Sequence, residues 1–137
     1  MNVCGDCRAC CRALGIEELK KPEWQMCGHA KQGKGCTIYA DRPQSCKIYE
    51  CMWRSSQDDP SPWPIKMRPD RCGVIFDTLL GNPSNLIVAR VAPENKDVLQ
   101  SKLITTVIAA MQQHGNDVVV RLGKKTSNPV KVVELKK

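Results

Sequence analysis

Four thiols within eight residues, Cys4-Gly5-Asp6-Cys7-Arg8-Ala9-Cys10-Cys11, are the densest concentration of chemistry in this chain. Gaps of two residues let a tight turn aim paired sulfurs at one centre, while the intervening backbone N–H groups donate to them. Cys27, Cys36, Cys46 and Cys51 follow, and Cys72 lies further on. Thiolate suits zinc and iron alike. Cys4, Cys7 and Cys10 have the two-residue spacing of [4Fe–4S] runs, in which a remote thiol such as Cys46 or Cys51 completes the set. Eight thiolates also satisfy two four-coordinate zinc ions, or a binuclear centre with shared sulfurs. No proline follows any of these cysteines, whereas bacterial ferredoxin runs end in Cys-Pro. Zinc is therefore the preferred ion and [4Fe–4S] the alternative. The expected ligands are Cys4, Cys7, Cys10, Cys11, Cys27, Cys36, Cys46 and Cys51.

The nine cysteines cannot all pair with one another, because the count is odd. The start, Met1-Asn2-Val3-Cys4, has no apolar region of the signal-peptide kind. No stretch approaches the roughly 18 apolar residues of a membrane span. These features predict a cytoplasmic protein that does not engage a membrane, with reduced thiols that ligate metal rather than form a disulfide scaffold.

The longer pattern has a known counterpart. The run CxxCxxCC at Cys4–Cys11 leads to Gly35-Cys36-Thr37-Ile38-Tyr39, to Arg42-Pro43-Gln44-Ser45-Cys46 and to Tyr49-Glu50-Cys51-Met52-Trp53. This ordered series resembles the YkgJ-type cysteine-cluster family, also described as a zinc- or iron-chelating CxxCxxCC domain. The resemblance covers about residues 4–53, and Arg68-Pro69-Asp70-Arg71-Cys72 resembles a continuation seen in some bacterial members. Arg8 stands where the family form often has glycine, and Gly5 follows the first cysteine instead. The resemblance implies metal chelation and supplies no reaction.

Other polar residues read more plainly. His29 is expected on the surface beside a ligand loop, His114 as a cap at a helix C-terminus, and Cys72 as a buried thiol. Arg8, Arg12, Lys34 and Arg42 lie close enough in sequence to offset an anionic sulfur cluster. Pro43 pre-sets a turn that returns Cys46 to the cluster, and Tyr39, Tyr49, Trp24 and Trp53 are expected to pack as a dry wall. The chain carries no nucleophile elbow, phosphate loop or paired-carboxylate motif. No catalytic residue is assigned, and an enzyme is the less favoured reading.

The elements that must position these thiols divide the 137 residues in two. All the cysteines and tryptophans lie within residues 1–72, which carry a net charge of +3 against +4 for residues 73–137. The first part reads as an irregular, metal-organised module, because it has few apolar residues to offset chain entropy. A connecting loop is expected over Ser55 to Pro69, where Pro60, Pro62 and Pro64 forbid a regular helix. Residues 73–137 read as a β-β-α-β-β unit. Its strands are expected at Val74–Phe76, Leu86–Ala89, Asp117–Leu122 and Val130–Leu135. A turn is expected at Gly81–Ser84, and a helix from near Pro93 to Gly115. The fold class is α+β.

Three functions fit these features. The first is a cytosolic metal-chelating protein with a structural or partner-binding role, its partner a protein. The second is an iron–sulfur electron-transfer protein. The third is a zinc module that binds nucleic acid through the net charge of +7; it lacks a basic stripe and zinc-finger helices.

Overall fold

The computed structural model describes residues 4–78 and 86–129. The chain divides into two compact units, Met1–Arg71 and Cys72–Lys137. Both helices and strands are present, and the class is α+β.

The first unit is made of short pieces. Its helices are α1 (Ala9–Ala13), α2 (Gln44–Ile48), α3 (Met52–Ser56) and α4 (Pro69–Cys72), the last running into the first residue of the second unit. Strands β1 (Ala30–Lys31) and β2 (Gly35–Cys36) form an antiparallel hairpin. Turns of 3-10 helix occupy Glu17–Leu19, Tyr39–Asp41 and Ile65–Met67. Helices of one turn do not sustain themselves in water, so side-chain hydrogen bonds fix the pieces in place. Trp53 is buried, and its indole N–H donates to the Pro64 carbonyl at 3.1 Å. The Ser56 hydroxyl donates to the Trp53 carbonyl and accepts from the Trp63 N–H. The predicted loop over Ser55 to Pro69 is thus not loop throughout. It begins inside α3 and contains the Ile65–Met67 turn, because the prolines forbid helix only locally and Pro64 caps that turn.

The second unit is a four-stranded sheet in the order β3 (Ile75–Thr78), β4 (Leu86–Val91), β5 (Asp117–Leu122), β6 (Lys125–Pro129). The outer pairs are antiparallel and the central pair, β4 with β5, is parallel, with Ile87 opposite Val118 and Ala89 opposite Val120. A parallel pair needs a crossover, and α5 (Lys102–Gln113) supplies it while packing on β5. The near-continuous apolar runs of β4 and β5 fit strands covered on both faces, and Ala89, Val91 and Val118 are fully buried.

The helix begins later than Pro93. Residues Pro93–Gln100 form a 3-10 stretch kinked at Asn95. Ser101 is the true start, its hydroxyl accepting from the Ile104 N–H. His114 ends α5, its Nδ1 lying 2.8 Å from the Ala110 carbonyl, and Gly115 follows at φ +90°. Strand β3 begins one residue after the predicted start and runs to Thr78, and β4 continues to Val91. The last strand among the described residues is β6, in Lys125–Pro129. The predicted strand over 130–135 and the turn over 81–84 lie outside the described residues.

Candidate metal centre

The turn Cys4–Cys7 closes with the Cys7 N–H on the Cys4 carbonyl at 3.1 Å. Gly5 sits in it at φ +59°, a conformation that side chains resist. Gly5 therefore makes the turn, and Arg8, at φ −120°, precedes α1 with no need of glycine. Helix α1 then carries Cys10 and Cys11 one turn further on. The hairpin approaches this turn so closely that a Cβ on Gly35 would overlap the Gly5 carbonyl oxygen. That approach brings in Cys36, the next residue.

Cys27 is joined to α1 by its N–H on the Cys11 carbonyl at 3.0 Å. Lys21 keeps the intervening loop folded. Its buried ammonium donates to the carbonyls of Arg12, Pro22 and Gln25 at 3.3, 3.0 and 2.7 Å. Cys46 rides on α2, whose start is pinned by Glu18 accepting from the Ser45 N–H and hydroxyl at 2.9 and 2.6 Å. Pro43 caps α2, and the Cys46 N–H donates back to its carbonyl. Cys51 is the N-cap of α3, its sulfur accepting from the Arg54 N–H at 3.5 Å.

These separate arrangements have one outcome. Cys4, Cys7, Cys10, Cys11, Cys27, Cys36, Cys46 and Cys51 all line a single cavity of about 260 Å³, with Leu14, Ile16, Ile38, Tyr39 and Tyr49 among its apolar walls. None of the nine cysteines forms a disulfide. Among the described residues, no three His, Cys, Asp or Glu side chains are drawn together into a ready-made ion site. The sulfurs ring a shared space instead. Its size exceeds what one ion with sulfurs at about 2.3 Å would fill.

Burial sets the protonation of the ring. It pushes the Cys7 thiol up to about 12, against N–H donation from Ala9 and Asp70. Desolvation also raises Cys4, Cys36 and Cys46. Cys10 and Cys11 interact as neighbours: the hydrogen bond between them, burial and the surrounding thiols raise Cys10. Cys11 falls to about 7 through that bond, with help from Lys21, Arg8 and Arg42. A cation that replaces several of these protons satisfies a set of soft donors in a low-dielectric space. In that sense the residues fit a metal centre.

Of the other predicted residues, Arg42 lies against the cavity, stacked on Tyr39 at 3.8 Å and donating to the Tyr39 carbonyl. Arg12 instead lies over Trp24 at 5.7 Å. Tyr39 and Tyr49 contribute to the wall, whereas Trp24 and Trp53 are not among the lining residues. The His29 ring does not line this cavity; His29 is exposed, and its backbone N–H donates to the Cys27 sulfur at 3.5 Å. Cys72 belongs to the second unit, where its buried thiol donates to the Val74 carbonyl at 3.2 Å. Lys21, Glu18 and Arg54 carry no motif, so sequence reasoning passed over them; Arg68 opens the segment Arg68–Cys72 that the sequence singled out, but its role was not read there.

No family model, curated protein or solved structure matches the chain. Among the described residues no helix is long and apolar enough to cross a membrane.

Proposed function

We propose that the first unit is a metal-chelating module whose eight thiolates hold one polynuclear centre, zinc being the preferred ion. The observation that carries this reading is the convergence of eight cysteines, from a turn, three helices, a hairpin and the loop of Cys27, on one cavity. The likeness to the YkgJ-type family points the same way. When bound, the metal supplies the cross-links that a module of one-turn helices lacks. All-thiolate zinc sites are closed and structural, so the role is scaffolding or presentation to a protein partner in the cytosol, without catalysis.

A second reading has its own support. The cavity has room for inorganic sulfide as well as metal, and backbone N–H groups already face Cys7, Cys27 and Cys51. Such donors tune iron–sulfur potentials, and the protein would then carry electrons. The nucleic-acid reading gains nothing, since Arg42, Arg54 and Arg68 are engaged with Tyr39, Asp58 and Asp70.

Metal and sulfide analysis of anaerobically purified protein, with its visible spectrum, tests the proposal. More than two zinc per chain, the load at which eight thiolates must share sulfurs, and no colour supports the zinc centre; two zinc or fewer leaves separate four-coordinate sites and refutes the shared centre. Stoichiometric iron and sulfide with a brown colour replaces it by the iron–sulfur reading. Protein with all eight thiols present and no metal retained refutes both.

A further inference from the structure

Arg-Pro-x-x-Cys occurs twice, at Arg42–Cys46 and at Arg68–Cys72. The first copy delivers a sulfur, for Cys46 lines the cavity. In the second the thiol is used elsewhere, on the Val74 carbonyl. What the second copy brings to the cysteine run is its arginine and a backbone N–H. The Arg68 side chain is only 7% exposed. Its guanidinium donates to the Cys4 carbonyl at 3.2 Å, to Asp6 at 2.7 Å and to both carboxylate oxygens of Asp70 at 2.5 Å. The Asp70 backbone N–H donates to the Cys7 sulfur. Gly35 closes on the same turn at the Gly5 carbonyl.

A buried guanidinium is tolerated only when its donors are satisfied. Arginine alone among the cations has the planar fork to reach a carbonyl and two carboxylates together. The acceptors it gathers are the first ligand's own carbonyl, the residue before the second ligand, and the residue whose N–H meets that ligand's sulfur. Groups placed this way outside a thiolate set orient the ligands.

We propose that Arg68, held by Asp6 and Asp70, is the positioning residue of the thiolate centre, fixing the Cys4–Cys7 turn so that both sulfurs face the shared cavity. This rests on the metal-centre reading. Arg68 does not line the cavity; it acts through the turn.

The test uses the full chain, purified anaerobically and loaded with cobalt(II), in wild-type, Arg68→Lys and Asp6→Asn forms. Two quantities are read: cobalt affinity from the thiolate charge-transfer band, and alkylation of each cysteine by mass spectrometry. Arg68→Lys should weaken cobalt binding about 10–100-fold. It should expose Cys4 and Cys7 to alkylation while Cys27, Cys36, Cys46 and Cys51 stay protected. Asp6→Asn, at a half-exposed site outside the core, should give the same selective pattern more weakly. Unchanged affinity and protection in both variants overturns the proposal. So does exposure of all eight thiols together in both, which marks a merely structural arginine. A wild-type chain without a cobalt–thiolate band overturns the metal reading itself, whereas a loaded wild type indifferent to both variants overturns only the role of Arg68.

Discussion

The two units solve the same problem with different materials. The second buries Val74, Phe76, Ile87, Val91, Ile104, Ile108 and Val118 in a sheet crossed by a helix of twelve residues. Among its described residues the first buries little that is apolar beyond Ala13, Ile16, Ala30, Trp53 and Met67, and no helix exceeds five residues. In its place it has polar ties that span long sequence distances, such as Arg68 to Cys4 and Glu18 to Ser45, around a cavity of thiols. A hydrophobic core stabilises a fold without help. A ring of desolvated thiols does not, and under the proposed function a bound cation supplies what it lacks.

The sharpest way to break this contrast is to remove the metal. A strong chelator should collapse the amide dispersion of residues 4–71 and leave the signals of Ile104–Ile108 and Val118–Val120 in place. Structural zinc contributes on the order of 10 kcal/mol. Equal loss in both units would erase the distinction.

Within the second unit the corresponding weak point is one ion pair. Asp77 on β3 and Arg90 on β4 meet at 2.6 Å on one face of the sheet, Asp77 almost fully buried. Arg90→Ala leaves that carboxylate buried without its partner and should cost about 3–5 kcal/mol, measured by urea unfolding followed through α5 helicity. Ile108→Ala should cost about 2–5 kcal/mol by opening a cavity beneath α5. Metal loading should be unchanged in both variants.

Alkali sharpens the comparison through its sign. Thiols whose folded pKa is raised, Cys4, Cys7, Cys10, Cys36 and Cys46, bind protons more tightly folded than unfolded. Their contribution is therefore present below about pH 8.5 and lost as pH rises through the folded values. Cys11, lowered to about 7, opposes them only between pH 7 and its unfolded value. Metal affinity should move the other way, rising with pH because binding expels protons. Cobalt titration of the full chain at pH 7 and 8.5 reads this dependence, and an affinity that falls over this range would contradict it. The smallest expected change is Ser101→Ala, about 1 kcal/mol from the lost cap of α5, read as a lower thermal midpoint of the second unit alone.

How much of this is legible in the sequence follows the same division. Strand β5 can be read because its apolar run is continuous, and the alternation of thiols and short gaps marks Cys4 to Cys11 as one cluster. The start of α5 is misplaced by a favourable Pro93, because the decisive cap is one hydroxyl at Ser101 meeting the Ile104 N–H. Lys21, with three carbonyls around its ammonium, leaves no periodicity and no spacing to find, and the Arg-Pro-x-x-Cys repeat marks Arg68 without revealing its bond to Cys4 across 64 positions. Local pattern records covalent neighbours. Contacts between short, irregular pieces are recorded only in three dimensions.

The claim at the centre of this account is that the eight cavity thiols belong to one centre. Site-resolved alkylation of anaerobically purified full-length chain during stepwise chelation tests it directly, with buried Cys72 in the second unit as the internal control. Cys4, Cys7, Cys10, Cys11, Cys27, Cys36, Cys46 and Cys51 should start protected and become reactive together, as metal leaves in a single cooperative step, while Cys72 stays protected. Release of two separate quartets at different chelator concentrations, or free reactivity of several of the eight before any chelator is added, would contradict a single shared centre.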